Sequence, residues 1–107
     1  MKKIVSKHLP FKGYRAMAIF PFLFIREEYK DDITEQVINH ESIHFQQQKE
    51  MLIIPFYVWY IIEFIIKFFI YKSAYKNISF EREAYSNADN LEYLKTRKWY
   101  SFFKYII

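Results

Sequence analysis

Cysteine is absent from this 107-residue chain, which excludes disulfides and thiolate metal sites and leaves the redox compartment unstated. Any metal ion must then draw on histidine and carboxylate ligands. A single glycine argues against a glycine-rich phosphate loop or a dinucleotide fingerprint, since both need several. Dense basic runs are also missing. The net charge is +4 and the pI about 9.2, but the lysines are spread along the chain, so nucleic acid is not an expected partner. There is no internal repeat and no low-complexity linker, and the length suits a single domain over residues 1–107. A domain of this size buries most of its apolar surface and needs no disulfide or metal staple to fold. No cleavable leader is expected, because the first apolar run, Ala16 to Ile25, starts late, contains Pro21 and is followed by charge.

What the chain has in excess is aromatic residues, 22% of the total, a composition that suits a dense core or a membrane interface. Residues 1–13, with Pro10 and Gly13, read as loop or a short strand, and His8 as a lone surface residue. Ala16 to Ile25 reads as one or two strands. Pro21, lacking an N–H, demotes the strand to an edge or breaks it in two, and such an edge can hold an extended peptide by strand addition. Asp32 and Glu35 form a capping box, predicting a helix from near Ile33 whose one face carries Ile33, Val37, His40, His44, Gln47 and Met51. Met51 to Tyr71 is the most apolar stretch; Pro55 kinks it or starts a new helix, and Glu63 and Lys67 form an i, i+4 pair on an exposed or semi-buried face. After a polar connection at 72–78, Ser79 is the expected N-cap of a helix carrying Glu81, Glu83, Ala84 and Leu91 and ending near Thr96. The aromatic, basic segment from Lys98 to Ile107 either packs on the core or lies on a lipid surface.

Within the first of these helices stands His40-Glu41-Ser42-Ile43-His44. Residues four apart lie one turn above each other, so the two imidazoles project from one face and can close on one Zn²⁺. Glu41 points to the side of that face, where it can act as general base towards a water activated by the metal. Two histidines on an apolar stripe without a partner would cost several kcal/mol, on the order expected for unsatisfied buried polar groups, and a metal or a carboxylate relieves that. A third ligand is needed, and Glu81 and Glu83 are the candidates. Two residues apart, they face different ways, so only one can serve.

The pairing of His40-Glu41-Ser42-Ile43-His44 with Glu83-Ala84-Tyr85-Ser86-Asn87 resembles the gluzincin group of zinc metallopeptidases, which add a glutamate from a later helix in the form Glu-x-x-x-Asp. The resemblance covers about half the chain. It implies that His40, His44 and Glu83 bind zinc and that Glu41 is general base and later proton donor. Asn87 falls where the group has an aspartate that orients a ligand histidine; an amide accepts the same hydrogen bond but adds no charge, so it tunes the ligand less strongly. Tyr57, Tyr60, Tyr75 and Tyr85 are candidates to assist a tetrahedral intermediate.

The expectation is therefore a minimal, mainly helical α+β zincin-like domain: a short N-terminal strand element, a zinc helix, an apolar backing helix and a glutamate helix. Its expected activity is zinc-dependent hydrolysis of peptide bonds in a peptide or protein substrate, in the cytoplasm, with peripheral contact at a membrane. A zinc site that uses Glu83 excludes a single membrane crossing by residues 51–71, because the ligands would fall on opposite sides. Two alternatives remain open: a non-catalytic membrane-associated protein anchored by residues 51–71, and an inactive zinc-stabilised binding module.

Overall fold

Hydrophobic alternation and one proline shape the N-terminal third of the computed structural model, which describes residues 2–9 and 14–106. Strands β1 (Lys2–Ser6), β2 (Ala16–Ile19) and β3 (Phe22–Arg26) form one sheet in the order β1-β3-β2. Pro21 does break the apolar run in two. It sits in the tight turn between β2 and β3, which pair antiparallel with Ala18 opposite Leu23, and the peptide bond before it is cis. β1 joins parallel to β3, with Ile4 opposite Phe24. In β3 the period of two turns Leu23 and Ile25 inward. β2 is left as an edge strand. The turn expected around Pro10 and Gly13 lies outside the described residues.

Helix α1 (Glu35–Glu50) starts two residues later than the capping box suggests. Thr34, not Asp32, is the N-cap, its Oγ1 accepting from the Val37 N–H at 3.3 Å. After α1 the chain turns through Leu52 and Ile53, both at positive φ (58° and 61°). The Ile54 N–H reaches back to the Leu52 carbonyl at 2.7 Å, closing a γ-turn about Ile53. For a β-branched residue this backbone costs on the order of 1–3 kcal/mol. Helix α2 (Ile54–Phe68) then departs with a 112° bend from α1, with Pro55 in its first turn, so Pro55 starts a new helix.

The single helix expected from Ser79 to Thr96 is instead two, α4 (Ser79–Asn87) and α5 (Tyr93–Thr96), and the polar connection before it contains a short α3 (Ala74–Asn77). A 3₁₀ turn over Ser101–Tyr105 closes the described chain. Ser79 does not cap α4. Its hydroxyl donates to Glu63, and Ile78 occupies the N-cap position. The core centres on Phe56, Ile78, Phe80 and Phe102, with Phe80 ring centroids 4.4 Å from Phe56 and 4.6 Å from Phe102. Together the sheet and helices make a small compact α+β fold, and among the described residues no single helix is long and apolar enough to cross a membrane.

Two buried ionic networks clamp α4. In the first, Glu63 of α2 accepts the Ser79 N–H at 2.9 Å and the Lys67 ammonium at 2.9 Å, while Lys67 also donates to the Asn77 and Ile106 carbonyls. Burial opposes ionisation of Glu63, but the Ser79 and Lys67 hydrogen bonds outweigh it and hold its carboxyl below the usual range. The pair expected on an exposed or semi-buried face is thus buried, and α2 turns charge inward. In the second, the Arg97 guanidinium bridges Glu50 of α1 and Glu83 of α4, donating to them at 3.1 Å and 3.0 Å, with all three side chains at most 1% exposed. Asn39 of α1 adds a third fixing point, its amide donating to the carbonyls of Asn87, Ala88 and Asn90 at the end of α4.

Replacing Arg97 with methionine leaves two carboxylates buried without their cation and is expected to destabilise the protein by roughly 3–5 kcal/mol. Urea unfolding monitored by circular dichroism measures this; an unchanged midpoint would show that the network carries no stability.

Candidate metal centre

On α1, His40 and His44 lie one turn apart, both buried and both turned towards α4. Glu81, in the first turn of α4, meets them. Its Oε1 lies 3.2 Å from His40 Nε2 and 3.0 Å from His44 Nε2, and the two Nε2 atoms are 3.1 Å apart. A tetrahedral ion with bonds of ~2.0–2.1 Å to nitrogen and oxygen needs ligand atoms about 3.3 Å apart. The observed triangle is within a few tenths of an ångström of that. These three residues form the group among the described residues able to hold a metal ion.

The surroundings orient the set. His44 Nδ1 is 2.8 Å from the Gln47 side-chain oxygen, which accepts from an Nδ1–H and so turns the Nε2 lone pair inward when the ring is neutral. Tyr60 donates to Glu81 Oε2 at 2.8 Å, leaving Oε1 to face the histidines. The Tyr85 ring packs edge-on against His40 at 4.4 Å between centroids. Glu41 Oε2 lies 3.8 Å from His40 Nε2, and its Oε1 accepts the Ala18 N–H at 2.9 Å. Gln48 ties α1 to the same strand, donating to the Ala18 carbonyl at 2.8 Å and accepting the Phe20 N–H at 2.8 Å.

The electrostatics follow from burial and from Glu81. Burial raises the Glu41 carboxyl to about 7, against the pull of His44. For His44, burial opposes the charge but the Glu81 carboxylate overrides it and lifts the imidazole to about 9. His40 moves the other way, lowered by burial and by the charge on His44, although Glu81 opposes this. Burial also works against ionisation of Glu81, yet the two histidines hold it well below the usual carboxylate range. The metal-free triad is therefore an imidazolium–carboxylate pair with a neutral second imidazole.

The expectation for Glu83 needs correction. It does not approach the histidines: its carboxylate is taken up by Arg97, by the Gln47 amide at 2.9 Å and by the Tyr93 hydroxyl at 2.6 Å. Asn87 is not beside a ligand either. Its amide donates to the Glu83 carbonyl and to the Tyr105 hydroxyl, so it orients no histidine. Of the four tyrosines, Tyr60 reaches Glu81, whereas Tyr75 and Tyr85 pair through their hydroxyls at 3.1 Å and Tyr57 donates to the Ala18 carbonyl. Gln47, Gln48 and Ala18 were not expected to have roles here. Gln47 was legible in one respect, since it lies three residues from His44 on the face that carries both histidines.

Beside the triad is a cleft of about 250 Å³, lined by Ala16, Met17 and Ala18 of β2, by Tyr57 and Tyr60 of α2, and by Glu41, His44 and Glu81. This is below the ~300–1,000 Å³ of pockets that enclose drug-sized ligands. No protein-family model, curated protein or solved structure matches the chain.

The raised pKa of His44 carries a sign that can be checked. Its proton is held below about 9 and must leave before Nε2 can bind a cation, so zinc affinity is expected to rise with pH up to that value. At pH 8, where Glu41 is mostly ionised and His44 is still charged, zinc binding is expected to release about one proton. Calorimetric titrations in two buffers of different ionisation enthalpy measure the number; zero released protons would contradict the protonation assigned to His44.

Proposed function

We propose that this chain is a zinc-dependent hydrolase of peptide bonds on a minimal zincin-like domain, with His40, His44 and Glu81 as the metal ligands and Glu41 as the general base. The observation that carries the reading is the convergence of two imidazole nitrogens and a carboxylate oxygen within 3.2 Å of one another. Three Lewis bases aimed at one point repel each other unless positive charge lies among them, as a proton or as a metal ion. Three protein ligands leave a tetrahedral ion one open position, which is the pattern of catalytic rather than structural zinc. Zinc held there supplies an acidified water and polarises a substrate carbonyl.

Glu41 suits the remaining chemistry. A carboxyl near 7 accepts a proton from water at neutral pH and surrenders it readily to a leaving amine, because a general base works best near the operating pH. The Ala18 N–H fixes one of its oxygens and leaves the other on the histidine side. Burial keeps the phenols protonated, with Tyr57 pushed up to about 12, so Tyr57 lines the cleft as a neutral hydroxyl that holds the Ala18 carbonyl. The edge strand favours an extended peptide as substrate. Ala18 turns its N–H and carbonyl away from β3, towards Glu41, Gln48 and Tyr57. By strand alternation Ala16 turns its own backbone groups the same way, offering a pair to a strand laid along the cleft.

Two variants test the assignment with unfolded casein as substrate. Glu41→Gln is expected to keep stoichiometric zinc and lose at least about 100-fold in hydrolysis, the range typical of general-base removal. His44→Ala is expected to lose the zinc. Retained hydrolysis in Glu41→Gln would overturn the mechanism, and a wild-type protein that binds zinc but cleaves nothing would reassign the fold to the zinc-stabilised binding module.

A further inference from the structure

Helix α2 is inside out. Its buried residues are Phe56, Glu63 and Lys67, and its solvent side carries Ile54, Val58, Ile61, Ile62, Ile65 and, just past the helix end, Phe69, each at least half exposed. At 100° per residue these positions, with Phe64, Ile66 and Phe68, sweep an arc of about 200° that contains no charged side chain; the one hydroxyl in it, that of Tyr57, is turned to the Ala18 carbonyl. The two charges of the helix have been drawn inward and satisfied by Ser79, Asn77 and Ile106, although water was available on the other side. That arrangement favours an environment in which outward charge would be costlier than buried charge.

Aromatic residues flank this face. Trp59 of α2 packs edge-on against Phe103 at 5.6 Å, and Phe103 neighbours Tyr100, which neighbours Trp99. Trp99 and Phe103 are 65% and 51% exposed, so the apolar surface of α2 continues onto the C-terminal segment. The charge pattern is one-sided. Within residues 51–76 and 98–106 Glu63 is the only side-chain carboxylate, and it is buried, whereas Lys72, Lys76, Lys98 and Lys104 are exposed. The exposed carboxylates, Glu27, Glu28, Asp31, Asp32, Glu35, Asp89 and Glu92, belong to other segments. Exposed Ile and Phe beside Trp and Tyr, in segments whose exposed charges are all lysine, is the composition that binds an anionic membrane interface.

We infer that the outward face of α2, with Trp99 and Phe103 beside it, docks onto the surface of an anionic phospholipid bilayer. The helix lies on the bilayer and does not cross it: its 15 residues reach ~22 Å, short of the ~30 Å hydrocarbon core. Tyr57 and Tyr60, which line the cleft, sit one turn from exposed Ile61 and Phe64, so the docked face runs up to the edge of the candidate site. The binding does not depend on the metal.

Co-sedimentation of the full chain, with and without zinc, with vesicles of phosphatidylcholine alone or mixed with phosphatidylglycerol tests this. The protein is expected to pellet with the anionic vesicles, to be released by salt, and to have its tryptophan emission quenched by lipids brominated in the acyl chain, a signal reduced in Trp99→Phe, where Trp59 is the remaining emitter. Ile61→Asp/Ile65→Asp, at exposed positions, is expected to leave the circular dichroism unchanged and weaken binding at least about 100-fold; Lys98→Glu/Lys104→Glu is expected to weaken it at least about 10-fold. Should the first double variant not fold, Trp99→Ser/Phe103→Ser reports on the same face. The inference is overturned by absence of binding to every vesicle, by apolar variants that bind as well as the parent, or by a dimer in solution that Ile61→Asp/Ile65→Asp dissociates while vesicles remain unbound.

Discussion

Glu81 stands between two histidines of α1 and a tyrosine of α2, and that junction exists only because α4 is clamped on both sides. At its start Glu63 seizes the Ser79 N–H and hydroxyl. Along its flank Arg97 locks Glu83 to Glu50, and at its end Asn39 gathers three carbonyls. Each contact satisfies a buried polar group that would otherwise cost ~1–3 kcal/mol or more. The consequence for α4 is rotational. With Phe80 and Ala84 in the core and Glu83 committed to Arg97, Glu81 is left facing α1.

How far this was legible in the chain depends on the range of the interaction concerned. Local signals carried well: Pro21 parts two strands, Pro55 opens a helix, and His40 and His44 share a face, because each rests on backbone geometry within a few residues. The choice between Glu81 and Glu83 did not. Both flank the Phe80–Ala84 stripe of α4, one on each side, and which side meets the histidines is set by how α4 crosses α1. The likeness to Glu-x-x-x-Asp drew attention to Glu83 and Asn87, yet a fully buried glutamate needs a cation. Arg97, fourteen residues on, supplies it.

The helix boundaries were missed for a similar reason. Ser79 has the chemistry of an N-cap, but Glu63, sixteen residues earlier, takes both its N–H and its hydroxyl, so a tertiary contact outbid a local one. In α2 the apolar run was read as a backing helix with the Glu63–Lys67 pair on an exposed or semi-buried face, whereas the pair is buried and most of the Ile and Phe residues are exposed. Composition does not say which side of a helix faces the protein when one side is charged and the other is not, and here the protein keeps the charge. The same inversion leaves Tyr57 and Tyr60 at the boundary between the cleft and the apolar surface, linking the two features of this chain that are least like an ordinary small domain.

The central claim is that Glu81, with His40 and His44, forms a metal site. Zinc K-edge absorption of the zinc-loaded protein, compared with Glu81→Gln, tests it most directly. The account predicts scattering from two imidazoles and a carboxylate oxygen, with zinc–ligand distances of ~2.0–2.1 Å, and loss of the carboxylate contribution in the variant. An identical spectrum in Glu81→Gln, or a wild-type protein that takes up no zinc at neutral pH, would contradict it.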